Sequence, residues 1–311
     1  MKKYIFGLLT GIVLTIGIVV IADTINSNEV LYDNTLSISS ATDVKGAIDD
    51  LYDKIVHSNG AYNLIGHIDD TLSTELLGGL HRYQGTNVNN YLCFGTSDKD
   101  TCISNKSKYM YRIIGYKMNG QMKLIKATTI GAKKWESSGG NISWADSSLF
   151  VGLNDSYFLN NSTYVPDNSW SNRIATTTWH YGDITSTGDN VDNLANAELN
   201  LSGSVSAKIS IMYLHDYYYG MESGSGCPSN ISICKSGWIH LSNNGYNGDE
   251  WTSARYSGNF PWAIESGGFT WAIGMGNYAY NEYYVRPVFF LNSTETIASG
   301  SGTIDDPYIL N

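Results

Sequence analysis

From about residue 80 onward the chain reads as short runs of β-branched and aromatic residues broken by Gly, Asn and Ser. The clearest runs are YMYRIIGYKM (109–118), QMKLIKATTI (121–130), VSAKISIMYL (205–214), GFTWAIGMG (268–276) and YYVRPVFFLN (283–292). Side chains of this kind suit a pleated, half-buried surface, so each run is predicted to be a strand. Asn119-Gly120 separates the first two and favours a type I′ turn, which predicts a hairpin over 109–130. Within SSLFVGLNDSYFLNN (147–161), Leu149, Leu153, Tyr157 and Phe158 fit a short helix. The remainder of 131–204 is long, polar and rich in Asn and Trp, with no repeat. The closing GSGTIDDPYILN reads as a turn followed by a terminal strand.

The first 78 residues have a different character. Lys2 and Lys3 precede an uncharged run over 4–21, YIFGLLTGIVLTIGIVVI, and Val20 and Ala22 fit a small-residue cleavage site. At 18 residues the run is at the lower limit for crossing a bilayer, so a cleaved signal peptide and a retained membrane anchor are both open. Either way, the positive end stays in the cytoplasm and the rest is exported, to the cell surface or beyond. Residues 23–42 read as a linker. In DVKGAIDDLYDKIVH (43–57), Val44, Ala47, Ile48, Leu51, Tyr52 and Ile55 share one helical face. That helix suits packing on the following domain, or a short stalk of self-paired copies.

Export decides how the four cysteines are read, because thiols oxidise outside the cytoplasm. Local pairing, Cys93 with Cys102 and Cys227 with Cys234, would close two short polar loops. Gaps of eight and six residues are too long for the paired ligands of a structural zinc site. The net charge of −10 leaves no basic stripe to neutralise phosphates, which argues against nucleic acid as a partner. With charged residues at only 15%, the surface must be built largely from Asn, Ser, Thr, Tyr and Gly, which suits neutral, hydroxyl-rich ligands. No metalloprotease, nucleophile-elbow or phosphate-loop motif is present. His215-Asp216 could orient a catalytic imidazole, although a satisfied surface histidine reads the same way.

Taken together, LHRYQGT, NNYLCFGT, YMYRIIGY, GQMKLIKA, WADSSLFVGLNDSYFLN, WHYGD, YYVRPVFFLN and GSGTIDDPYIL resemble a group of exported proteins of Firmicutes and related gut bacteria. Those proteins carry a domain of unknown function of the DUF6273 type behind an N-terminal hydrophobic segment. The resemblance runs from MKKYIFGLLTGIVL through AIDDLYDK to the C-terminus, with the domain over 79–311. WAIESGGFTWAIGMG followed by YYVRPV is similar, in turn, to the C-type-lectin-like fold shared with the formylglycine-generating enzymes. The resemblance implies an α+β fold, a C-type-lectin-like domain with long loops over a small twisted antiparallel sheet. A hydrophobic helix and a short amphipathic helix precede it. The reactive cysteine pair of those enzymes has no counterpart, since Cys227 and Cys234 differ in spacing, so oxidation chemistry is not implied.

Lectin-type folds suggest calcium, and NNGYNGDEW (243–251) offers Asn243, Asn244, Asn247, Asp249 and Glu250 as oxygen ligands beside Trp251. An Asn-rich solvent turn has the same composition. Trp170 and Trp179 lie in polar surroundings where an exposed ring can hold a sugar, although in this fold class Trp also pins long loops. Trp262 and Trp271 read as core, and Arg286 as a structural guanidinium tied to carbonyls or a carboxylate. The function expected is ligand binding or adhesion at the cell surface, toward a glycan or a protein. Two alternatives are an enzyme of formylglycine-generating-enzyme-like fold without a located site, and a structural or pilus-like component assembled through helix 43–57.

Overall fold

The computed structural model describes residues 79–117, 119–138, 141–185, 190–221, 237–241, 245–258, 260–266, 270–271 and 278–311. The run 4–21, the helix expected over 43–57, Asn243, Asn244 and the Cys227/Cys234 pair lie outside the described residues. The strands are β1 (Leu80–Arg82), β2 (Tyr91–Cys93), β3 (Met110–Lys117), β4 (Met122–Lys126), β5 (Ala132–Lys134), β6 (Thr177–Tyr181), β7 (Gly203–Ala207) and β8 (Ile209–Ser210). They continue as β9 (Glu250–Ser257), β10 (Phe260–Ile264), β11 (Thr270–Trp271), β12 (Glu282–Tyr284), β13 (Val288–Phe290), β14 (Ile297–Ser299) and β15 (Tyr308–Leu310). Among the described residues six short helices interleave: α1 (Lys99–Ser104), α2 (Lys106–Tyr109), α3 (Ser148–Leu153), α4 (Asn168–Arg173), α5 (Val191–Leu199) and α6 (Leu214–Tyr219). The fold is therefore α+β and mostly sheet. Among the described residues no helix is long and apolar enough to cross a membrane.

Three sheets account for the strands among the described residues. The largest has the order β14-β15-β2-β3-β4-β13-β8, with β1 also pairing β3. A second runs β11-β10-β9-β12-β5, and β6 pairs β7 alone. The pairings are not all antiparallel, since β15 runs parallel to β2 and β12 parallel to β9. The sheet is thus larger and more mixed than the small antiparallel one expected.

The β3–β4 hairpin is the spine of the large sheet. Gly120 N–H donates to Lys117 O and Lys117 N–H to Gln121 O, enclosing three residues with Gly120 at φ 86°. That is the three-residue loop closed by a left-handed glycine, not the two-residue type I′ turn expected. The pairing shifts between Ile113 and Gly115, so Ile114 is the extra residue of a bulge. Gly115 is required there because a Cβ would sit 2.2 Å from His81 O on β1.

Alternation along β3 sends its side chains to two different environments. Tyr111 joins an aromatic cluster with Phe94, Phe158 and Phe289. On the other face, Met110 and Arg112 stand beside Cys93 and Tyr91 of β2, through the pairs Cys93↔Met110 and Tyr91↔Arg112. The Cys93–Cys102 disulfide is formed and buried in a satellite cluster with Met110, Ala127 and Ile309. Its loop is not irregular: Asp98 caps α1 by accepting from Thr101 N–H, and the bridge fastens that helix to β2.

Two predicted strands are each divided between sheets. In 205–214, β7 pairs β6, β8 joins the large sheet, and the chain then enters α6. In 283–292, β12 belongs to the second sheet and β13 to the large one. The change of sheet falls at Val285–Pro287, where proline has no N–H to give a ladder. The helix expected over 147–161 is confined to α3, capped by the Ser147 side chain.

Candidate functional site

A cleft of about 560 Å³ opens beside β2 and β3, within the usual size range for ligand sites. Its wall is made by Thr86, Asn87 and Asn89 on one side and by Thr303 and Ile304 on the other, with Tyr91, Arg112 and Trp238 at its floor. Four separate segments meet here, and each is placed by a definite contact. The segment before β2 is held by Tyr91 N–H donating to Gly302 O, and by Asn90 Nδ2 donating to Ile113 O at 2.7 Å. The C-terminal turn is closed by Ser301 and Gly302 N–H, both donating to Asp306 O. Gly302, at φ 77°, is demanded by that approach, because a Cβ would meet Asn89 O at 2.4 Å. Trp238 is fixed by its N–H to Gly85 O and its indole Nε1 to Tyr83 O.

Arg112 is the centre of the floor. Its side chain is 4% exposed, and its guanidinium carbon lies 4.3 Å from the Tyr91 ring centre and 4.5 Å from that of Trp238. Nε donates to Asn90 Oδ1 at 2.7 Å, Nη1 to the Trp238 carbonyl at 3.1 Å and Nη2 to the Val88 carbonyl at 3.3 Å. A guanidinium has five N–H donors, so two remain. All its partners are neutral, and no carboxylate pairs with it among the described residues. Burial brings its pKa down to about 10, Tyr91 opposing and Arg286 adding to the fall, so it is charged at neutral pH.

Behind it, Arg286 holds Glu250 in a two-pronged pair, Nε and Nη2 each 2.7 Å from a carboxylate oxygen, and also donates to Ile239 O. His240 is kept below its usual pKa by burial. Of the two guanidiniums, Arg112 and Arg286, only Arg286 has a carboxylate partner among the described residues.

A second polar cluster is balanced by contrast. Asp216 accepts from Arg82 Nη1 at 2.5 Å and from Lys123 Nζ at 2.6 Å. Burial would raise the Asp216 carboxyl, but Lys123 and Arg82 outweigh it and hold the group well below the usual carboxylate range. Glu198 of α5 accepts from Leu214 N–H and His215 N–H and sits 2.7 Å from His215 Nδ1. It thereby caps α6 from another helix. The His215 ring is buried and stacked on Tyr213, not on the surface, and burial lowers its pKa. The cavity beside this cluster is about 60 Å³, room for a water or two and no substrate. Its chemistry is consumed in fastening α6 to β1 and β4.

Among the described residues, those singled out from the sequence do not converge on one site. Asn247 is exposed, and Asp249 accepts from Ser266 N–H. Glu250 and Trp251 are both buried on β9, Glu250 committed to Arg286 and Trp251 to Lys133 O and the Tyr283 ring. Trp179 is also core, with Nε1 donating to Ala207 O so that it pins β6 to β7. Trp170 is half-buried against Phe94, and Trp262 is buried with Nε1 on Ile184 O. Arg286 does tie a carboxylate and a carbonyl, as its setting suggested. Sequence reasoning missed Arg112. The signal available was an arginine inside a strand otherwise apolar and aromatic, YMYRIIGY.

No protein-family profile, no curated protein and no solved structure matches this chain.

Proposed function

We propose that the protein is an exported, surface-displayed binding module, and that the Arg112 cleft holds its ligand, a saccharide. The single observation behind this reading is the cleft's lining: side-chain hydroxyls and amides around a charged guanidinium that has donors to spare. Thr86 and Asn87 are exposed and make no hydrogen bond among the described residues, so both can turn to a hydroxyl-rich ligand. The exposed Ile304 supplies an apolar edge of the sort a sugar ring can lie against. Export by the 4–21 segment and display by helix 43–57 complete the reading. The buried disulfide supports it, since such bridges persist in oxidising compartments. A C-type-lectin-like fold belongs to the same proposal. It is supported by the terminal strand β15 returning beside β2 and by the long excursion between β5 and β6.

The test is a glycan array probed with the full-length chain, with and without calcium. Saturable binding that is lost in Thr86→Ala/Asn87→Ala is expected. A flat response across the array in both conditions would overturn the assignment.

A further inference from the structure

The ligand class can be narrowed, on the footing of the binding reading above, by following the charge. Arg112 is held rigidly by three neutral acceptors and two aromatic rings, which fix the direction of its fork. Neutral acceptors and ring faces solvate a guanidinium only in part. The full counter-charge of a carboxylate, which Arg286 has in Glu250 and Arg82 in Asp216, is not supplied to Arg112 by any of the described residues. Nor does the rim supply it. Asp306 lies 3.0 Å from Lys99 Nζ and Asp305 3.7 Å from Lys106 Nζ, each already facing a lysine. A carboxylate brought by a ligand would supply that charge and accept from the two N–H donors that remain, and a guanidinium is suited to pairing a carboxylate with two hydrogen bonds.

We propose that the cleft selects acidic saccharides of the uronate type, with the ligand carboxylate on Arg112 and sugar hydroxyls on Thr86, Asn87 and Thr303. The net charge of −10 does not oppose this, because charges beyond about 8 Å are screened at physiological ionic strength. It does mean that association gains nothing from long-range steering, so selectivity should appear in the off-rate.

The experiment uses the full-length chain on an array carrying neutral, uronate-bearing and sulfated glycans together with acidic peptides. It is followed by calorimetry with oligogalacturonate and hyaluronan oligomers against their carboxyl-reduced counterparts. Each reduced counterpart keeps the skeleton and loses only the charge. The acid form should bind about ten- to hundredfold more tightly, the worth of hydrogen bonds to a charged group. Arg112→Lys keeps the charge but not the fork, and should remove most of that preference. The wild-type comparison of acid with reduced sugar stands whether or not the variant folds. Equal binding of acid and reduced forms would overturn the uronate assignment and leave saccharide binding intact. Preference for sulfated glycans or acidic peptides would also overturn it. Absence of binding to every saccharide would remove the binding reading itself.

Discussion

Lys126 offers the most direct physical test of how this protein buries charge. The residue is fully buried on β4, and its ammonium donates to the Lys108 carbonyl at 3.1 Å. It lies 4.9 Å from the Tyr111 ring centre and 5.2 Å from that of Tyr164. No carboxylate pairs with it among the described residues. Burial lowers its pKa from 10.5 to about 7. At 1.36 kcal/mol per unit, that difference amounts to roughly 5 kcal/mol of folding stability. Between the two values the unfolded chain holds a proton that the folded chain has released, so stability rises as pH rises through this window. It is fully present above about pH 10.5 and fully lost below about pH 7.

Lys126→Met keeps the length of the side chain and removes the charge. It leaves the Lys108 carbonyl without its donor, a cost of about 1 kcal/mol. The variant should therefore be more stable than wild type by about 3–4 kcal/mol at pH 6. Between pH 7 and pH 9 the advantage should shrink by about 2 kcal/mol, a little under two units of the same slope because the folded group is half protonated at pH 7. Urea unfolding followed by tryptophan fluorescence at pH 6, 7, 8 and 9 measures both quantities. Groups other than Lys126 cancel in the difference between the two proteins. A difference that stays flat from pH 6 to 9 would refute the reasoning, because it would mean that the ammonium is solvated or paired.

Asp216→Asn strips the anion from Arg82 and Lys123 and should cost about 3–5 kcal/mol in chemical denaturation, while adding Lys123→Met should restore part of the loss. Gly115→Ala drives a Cβ into His81 O and should destabilise by about 1–3 kcal/mol, with faster hydrogen exchange at the β1–β3 pairing. The Cys93→Ala/Cys102→Ala double variant opens a loop with a sequence separation of 9 and should lower stability by about 2–3 kcal/mol, read from the urea midpoint. Non-reducing thiol labelling of the native wild-type chain should find Cys93 and Cys102 unreactive.

What the sequence revealed was local, and what it concealed was tertiary. The β3–β4 hairpin was legible because alternation and Asn119-Gly120 act within twenty residues, although the turn's size depended on where the strands stopped pairing. The Cys93–Cys102 bridge was legible because the N-terminal apolar run pointed to an oxidising compartment and the two cysteines flank one short polar loop. Helix α6, LHDYYY, was not anticipated, and only its first residue, Leu214, fell within the strand expected over 205–214. Its first amides are satisfied by Glu198 of α5, which no local pattern could announce. The acidic NNGYNGDEW stretch looked like an oxygen-rich loop. Yet Glu250 turns inward because Arg286, 36 residues later, supplies a charge to meet it. The cleft was hidden for the same reason: Asn87, Tyr91, Arg112, Trp238 and Ile304 are spread over more than two hundred residues.

The case for Arg112 rests finally on which buried cations the protein itself can accommodate. Among the described residues, the buried basic side chains are Arg82, Arg112, Lys123, Lys126 and Arg286. Arg82 and Lys123 share Asp216, and Arg286 has Glu250. Two, Arg112 and Lys126, have no carboxylate partner among the described residues, and their chemistry separates them. Lys126 is sealed from solvent, and with a pKa of about 7 it can relieve its burial by giving up a proton. Arg112, with a pKa of about 10, has no such exit at neutral pH. It is also the one of the two that borders a cleft large enough to admit a ligand. A buried charge that no described carboxylate neutralises, and that lines an open cleft, is best stabilised by an anion arriving from outside. Occupancy of the cleft should therefore raise the unfolding temperature in proportion to the logarithm of ligand concentration above its dissociation constant. Thermal shifts with uronate oligomers but not with their carboxyl-reduced forms would be the signature.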